Sequence, residues 1–290
     1  MLLQDGTATA DTTQRERQDR QDPEASAADG LRRAGYAILG PLRVTGPAGS
    51  SSLTSRKAET LLGLLLIRAD QVVTMEQLIG EIWADSPPGR AVASVHVYIS
   101  QLRKFLRQAG AASDSIVTRP SGYLLRTNGA LLDVHAFANQ SRLGRAYAKE
   151  HRYEQAANSF NSALALWRGP LLEGSPGGPI ISGFATWLDE TRAECLERLM
   201  DVELGLGRHR EAVGRLYSLA TEYPTREAFH RQLMLALYRC GRQADALKAF
   251  QTVRSTLIDE LGLEPGIDLQ KIQVAILKAD PVLHELTAAY

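Results

Sequence analysis

Arg90–Gln108 reads RAVASVHVYISQLRKFLRQ, and seven residues later Ile116–Arg126 reads IVTRPSGYLLR. In the first stretch Val92, Val95, Ile99, Leu102 and Leu106 recur at three- and four-residue spacing, the signature of one apolar helix face. The opposite face carries Ala93, Val97, Ser100, Gln101, Lys104 and Arg107, a mixture of small, amide and basic side chains that suits a groove of DNA. The second stretch is two β-prone runs broken by Pro120-Ser121-Gly122, which predicts a hairpin. A basic helix followed by a basic hairpin is the reading end of a winged helix-turn-helix. Between Arg90 and Arg126 stand six basic residues (Arg90, Arg103, Lys104, Arg107, Arg119, Arg126) against one acid, Asp114, in a chain of zero formal net charge.

The residues upstream complete that pattern. YAILGPLRV predicts one or two strands around Gly40-Pro41, Thr45–Ser51 a turn-rich connection, and Ser52-Leu53 a last short strand. Ser55 is placed to cap Arg56–Ala69, a run apolar enough to pass through a core. Thr74 with Gln77 three residues on forms a capping-box signature ahead of a short helix over Met75–Trp83. Pro87-Pro88-Gly89 then turns the chain. The order is strands, helix, helix, helix, hairpin over residues 35–128. That segment holds ten Lys/Arg and six Asp/Glu, net +4, while residues 1–34 and 129–290 are each net −2. A basic domain tethered to a slightly acidic one implies a local nucleic-acid footprint and argues against a generally adhesive protein.

The remainder is helical and repetitive. Gly207–Ala212 (GRHREA) resembles Gly241–Ala246 (GRQADA) at an offset of 34 residues, the tetratricopeptide period, and HRYEQA at 151–156 is an earlier copy set apart by a Pro/Gly-rich insertion over Gly169–Gly183. Each copy predicts a helix pair with its Ala packed where two helices meet. Helices are expected over Val134–Lys149, Tyr153–Trp167, Ala185–Leu206, Arg210–Glu222, Arg226–Arg239, Gln243–Leu261 and Ile267–Lys278, with Gly262, Pro265 and Pro281 as stops. Trp167 and Trp187 read as packing residues. Residues 1–34, with almost no large apolar side chain after Leu3, read as a disordered leader; 35–128, 129–280 and 281–290 follow as DNA-binding domain, repeat domain and tail.

Catalytic motifs are missing: no phosphate-binding glycine loop, no nucleophile elbow, no HExxH. The six histidines are dispersed without metal spacing, and Cys195 and Cys240 lie inside helical patterns as buried, reduced thiols. The expectation is a protein that is not an enzyme and uses no cofactor and no metal. The longest apolar run, Leu61–Ile67, is too short to span a membrane, and no signal peptide is evident, so a cytoplasmic protein without a membrane partner is expected. On the basic helix, Gln101 can address adenine and Arg103 or Lys104 guanine or phosphate, while Val97 suits a thymine methyl. Arg119 and Arg126 of the hairpin suit phosphates. Each has a plainer reading as a solvated surface, Trp83 reads first as a core aromatic and second as an indole donor to phosphate, and His96 flanks the face with a surface role as its simplest account. A peptide-binding scaffold and a ligand-sensing regulator stand as alternatives, because stacked helical repeats commonly present a groove.

The segments ILGPLRV, LLLIRADQVVTMEQLIGEIW, SVHVYISQLRKFL, IVTRPSGYLL, ALALWRGPLL and EAFHRQLMLALYRCGRQADALKAFQTVRSTLIDELGLEPG together resemble the SARP family, the Streptomyces antibiotic regulatory proteins, over about residues 35–280. The resemblance implies a mainly α fold with a small β platform and wing: an OmpR-type winged helix-turn-helix, without a receiver domain, followed by a tetratricopeptide-like bacterial transcriptional activator domain. It implies a transcription activator that binds direct repeats near the promoter −35 element as two copies side by side. It also implies recruitment of RNA polymerase holoenzyme, with contacts to the sigma factor, to antibiotic biosynthesis genes. Positions matching the contact residues of related regulators are Val97, Ser100, Gln101, Arg103 and Lys104, then Arg119 and Tyr123, then Trp83; Arg90, Arg107 and Arg126 extend the set. Where such regulators often carry mid-helix arginines, this chain has Ser100 and Gln101, so base preference does not transfer.

Overall fold

A computed structural model of the chain describes residues 35–281 and 283, apart from 48, 113 and 176. The expected leader over 1–34 and nearly all of the tail lie outside the described residues. The chain divides into two compact units: one up to Ile38 with Leu42–Leu132 and Gly174–Pro179, the other Leu39–Pro41 with Asp133–Glu173 and the chain from Ile180.

In the first unit the elements are β1 (Gly35–Ala37), β2 (Arg43–Gly46), β3 (Gly49–Ser51), α1 (Arg56–Ile67), β4 (Val72–Thr74), α2 (Met75–Trp83), α3 (Ala91–Gln108), β5 (Ile116–Arg119), β6 (Gly122–Leu125) and β7 (Leu131–Leu132). The first sheet has the order β3-β2-β1-β7, in which β7 runs parallel to β1. The third strand forms at Gly49–Ser51 and not at the expected Ser52-Leu53, because Thr45 pairs with Ser50 and Gly46 with Gly49 in a tight hairpin. The second sheet, β4-β6-β5, is antiparallel and makes the wing. α1 is buried nearly all round, with every residue from Thr60 to Leu66 inaccessible, as befits a helix that is apolar on all sides. Ser55 caps it by accepting from the Ala58 N–H, and Thr74 and Gln77 close a reciprocal capping box on α2. α1 packs on α2 and α3. α3 meets this core with Ala91, Val95, Ile99, Leu102 and Leu106. Val92, expected on that face, is 48% exposed, and in the first turn of α3 it is Ala91 that is buried.

The second unit is all helical: α4 (Asp133–Lys149), α5 (Tyr153–Leu164), α6 (Pro179–Gly205), α7 (His209–Glu222), α8 (Glu227–Arg239), α9 (Gln243–Leu261) and α10 (Ile267–Leu277). The repeated alanines Ala156, Ala212 and Ala246 are all buried, as the repeat pattern predicts. Gly144 of α4 lies so close to α5 that a Cβ there would stand 2.6 Å from the buried Phe160 ring. Two helix limits differ from expectation by more than one residue. α5 stops at Leu164, releasing Trp167 to pack edge-on against Phe137. α6 begins at Pro179, inside the Gly/Pro-rich insertion, because proline is well suited to a first helical turn. Trp187 is 52% exposed and so is not the core residue expected. Cys195 is buried and Cys240 half-buried, both free. Among the described residues no helix is long and apolar enough to cross a membrane, and no group of acidic, His and Cys residues could hold a metal.

Candidate nucleic-acid interface

The interface is assembled on α3. Burial of Val95, Ile99, Leu102 and Leu106 turns the other face outward, and Ala93, Val97, Ser100, Gln101, Lys104 and Arg107 are all exposed along it. Val97 is 55% exposed. An outward β-branched residue in a line of polar ones gains nothing from the core. Arg90 precedes the helix and is exposed, and Arg119 is exposed where β5 enters the hairpin turn. Arg90, Lys104, Arg107 and Arg119 have no ion pair among the described residues, so their charge is directed at solvent.

The hairpin is tied to α3 by side chains from both. The Arg103 guanidinium donates from Nε (3.2 Å) and Nη2 (3.0 Å) to the Ile116 carbonyl, and from Nη2 to Thr118 Oγ1 at 2.8 Å. It also lies over the Tyr123 ring, 5.8 Å from its centroid. Tyr123 Oη is 2.6 Å from His96 Nδ1, and the two rings meet edge to face. The other edge of the wing is held by β4: Thr74 pairs with Gly122, and the Met75 N–H donates to the Ser121 carbonyl at 3.0 Å. Gly122 is needed there, since a Cβ would fall 2.0 Å from the Val73 carbonyl oxygen. Trp83 is half-buried, with Lys57 Nζ 5.0 Å above its ring and Tyr98 tilted against it at 6.4 Å. Helix, wing and the end of α2 are therefore one rigid platform with a basic exposed face.

Residues 49–125 match the family model described as "Transcriptional regulatory protein, C terminal", and residues 132–277 match "Bacterial transcriptional activator domain". The regulatory protein DnrI of Streptomyces peucetius is 36% identical over 250 residues, covering 84% of this chain and 92% of that one. The chain belongs to the SARP family. The regulatory protein AfsR of Streptomyces coelicolor is 38% identical over 259 residues, 88% of this chain but 25% of that protein. Among solved structures, Mycobacterium tuberculosis EmbR in complex with a low-affinity phosphopeptide superposes with a TM-score of 0.82 at 33% identity, covering 86% of this chain and 66% of that one. The chain thus spans nearly all of DnrI, a quarter of AfsR and about two-thirds of EmbR.

In this SARP chain, a DNA-binding transcription regulator, the expected contact residues other than the half-buried Trp83 fall into two groups. Val97, Ser100, Gln101, Lys104, Arg107, Arg90 and Arg119 face outward together. Tyr123 does not: it is 4% exposed, because β6 turns it onto α3 and its hydroxyl is used by His96. Arg103 is engaged by the hairpin backbone, and Arg126 is paired with Asp114 at 3.3 Å at the wing's base. Arg103 and Tyr123 join helix to wing, while Arg126 makes an exposed surface pair. Sequence periodicity assigns faces within one helix and is silent about which residues meet across a hairpin, so the His96–Tyr123 and Arg103–Thr118 contacts carried no linear signal.

Proposed function

We propose that this chain is a sequence-specific transcription activator whose winged helix, residues 35–128, lays α3 in the major groove of promoter DNA. In that pose Gln101, Ser100 and Val97 address base edges, while Lys104, Arg107, Arg90 and the wing's Arg119 hold phosphates. Trp83 flanks the same face from the end of α2. The single observation that carries the reading is the exposed stripe of α3, apolar behind and basic in front, flanked by four cations that have no ion pair among the described residues. Family membership supports the remainder: two copies side by side on direct repeats near the −35 element, the repeat domain over 129–280 pairing the copies and engaging RNA polymerase holoenzyme with its sigma factor, and target genes of antibiotic or secondary-metabolite synthesis. Within that family the sequence resemblance points to the activator of actinorhodin synthesis. The reading involves no catalysis.

The test is footprinting of the purified protein on promoters of neighbouring biosynthetic genes at low and raised salt. Protection of two adjacent direct repeats that weakens with salt is the expected result, since phosphate contacts release counterions. Lys104→Ala should weaken binding to every sequence, and Gln101→Ala should change preference at one base step. A folded protein that protects no promoter, or a pair of variants that bind as the parent does, overturns the reading.

A further inference from the structure

We propose that His96 is an additional DNA contact, a phosphate ligand aimed by the buried Tyr123. This rests on the reading of α3 as the groove helix. His96 is exposed on α3 at the seam between the outward stripe and the wing. On the helical wheel it lies beside Ser100 (i+4) and Arg103 (i+7), on the flank that faces the hairpin. Its Nδ1 is engaged: Tyr123 Oη stands at 2.6 Å, and that hydroxyl has no other partner among the described residues. The assignment takes the Tyr123 hydroxyl as the donor to Nδ1, which leaves a neutral imidazole its own proton on Nε2.

The arrangement is stiff. Tyr123 is buried in β6 and crossed by the Arg103 guanidinium, which is itself pinned to the Ile116 carbonyl and Thr118. The His96 ring is thus held at one nitrogen by the wing and presents a single N–H donor from the other. No protein acceptor meets Nε2 among the described residues. Basic and polar side chains around the base-reading residues commonly contact the sugar–phosphate backbone. A single donor on the wing-side flank, held by Tyr123, is matched to a phosphate oxygen.

The experiment compares the full chain with its His96→Ala, His96→Gln, His96→Asn and Tyr123→Phe variants, each checked for an unchanged thermal melt. Binding is measured on a duplex carrying a footprinted repeat and on a random duplex of equal length. Gln places its amide nitrogen where Nε2 stands, and Asn where Nδ1 stands. His96→Ala and His96→Asn are expected to lose about tenfold in affinity on both duplexes, the scale of one hydrogen bond to a charged acceptor, and His96→Gln to recover most of it. Tyr123→Phe should lose a smaller factor. Two-bond nitrogen–proton spectra should find Nε2 protonated in the parent and a mixture of tautomers in Tyr123→Phe. Equal binding by His96→Ala and the parent, loss confined to the specific duplex, failure of Gln to do better than Asn, or an Nδ1-protonated ring would each overturn the assignment while leaving the groove reading standing. A parent chain that binds neither duplex overturns both.

Discussion

His151 shows how one backbone angle enforces a residue choice. The three repeat copies begin with His151-Arg152, Gly207-Arg208 and Gly241-Arg242, and the first residue of each sits in the left-handed region, at φ 57°, 77° and 75°. Two copies meet this with glycine, which has no Cβ to clash with the following carbonyl. The first copy carries histidine there and offsets part of the strain with a 3.0 Å contact between its Nδ1 and Tyr153 Oη at the exposed helix start. His151→Gly should therefore stabilise the second unit by about 0.5–1 kcal/mol, less than the full left-handed penalty because glycine also frees the unfolded chain. A rise in midpoint denaturant at constant slope is the expected result, and a fall would mean that the ring contact outweighs the angle. The repeated glycines were legible in the sequence as a period of 34. That they mark a backbone conformation, and that His151 shares it, was not, because periodicity carries no dihedral.

At the scale of elements, the wing depends on close backbone approach. β6 passes β4 with Gly122 facing the Val73 carbonyl at a distance no side chain permits. Gly122→Ala should push the two strands apart, lower stability by roughly 2 kcal/mol in the manner of an overpacked site, and reduce DNA affinity more than any outward-facing change in the hairpin turn, since the whole platform shifts. Circular dichroism melts and a binding titration read the two effects separately. Unchanged melts would mean that the strand moves without cost. The elements themselves were largely readable. Thr74 and Gln77, Ser55, and Gly262 announce helix limits because caps satisfy backbone groups locally. The strand at Gly49–Ser51, the two-residue β7, and the start of α6 at Pro179 were misplaced or missed. Each is specified by a partner distant in sequence or by turn geometry, and none has a periodicity of its own.

For the whole molecule, buried titratable groups in the repeat unit set a pH dependence. His230 is buried in α8 with Nε2 2.9 Å from the Pro224 carbonyl. Burial pushes its imidazole below the ordinary 6.5, with the Pro224 carbonyl and Glu227 opposing in part. The unfolded chain takes a proton below about pH 6.5 while the folded chain still resists, so stability is full above that value and falls as pH drops toward the folded pKa. Asp201, buried against Gln232 and Arg231, is pushed upward by burial and acts in the opposite sense at lower pH, its contribution to stability being lost as pH rises through its folded value. Thermal melts should therefore decline between neutral and mildly acidic pH, and His230→Gln should flatten that decline. A decline of equal size in the variant would assign it to another group.

Capping, amphipathic spacing and turn residues act over a few positions, and so the order of the helices, the outward basic stripe of α3, the repeat period and the family are legible in the chain. Which basic residues stay without a partner follows from contacts between elements. Arg103, Tyr123 and Arg126 belong to the same basic segment as Lys104 and Arg119, yet they are turned inward or paired by contacts across α3 and the wing. The distinction rests on what meets a side chain in space, and that is fixed only when the helix and the hairpin fold together.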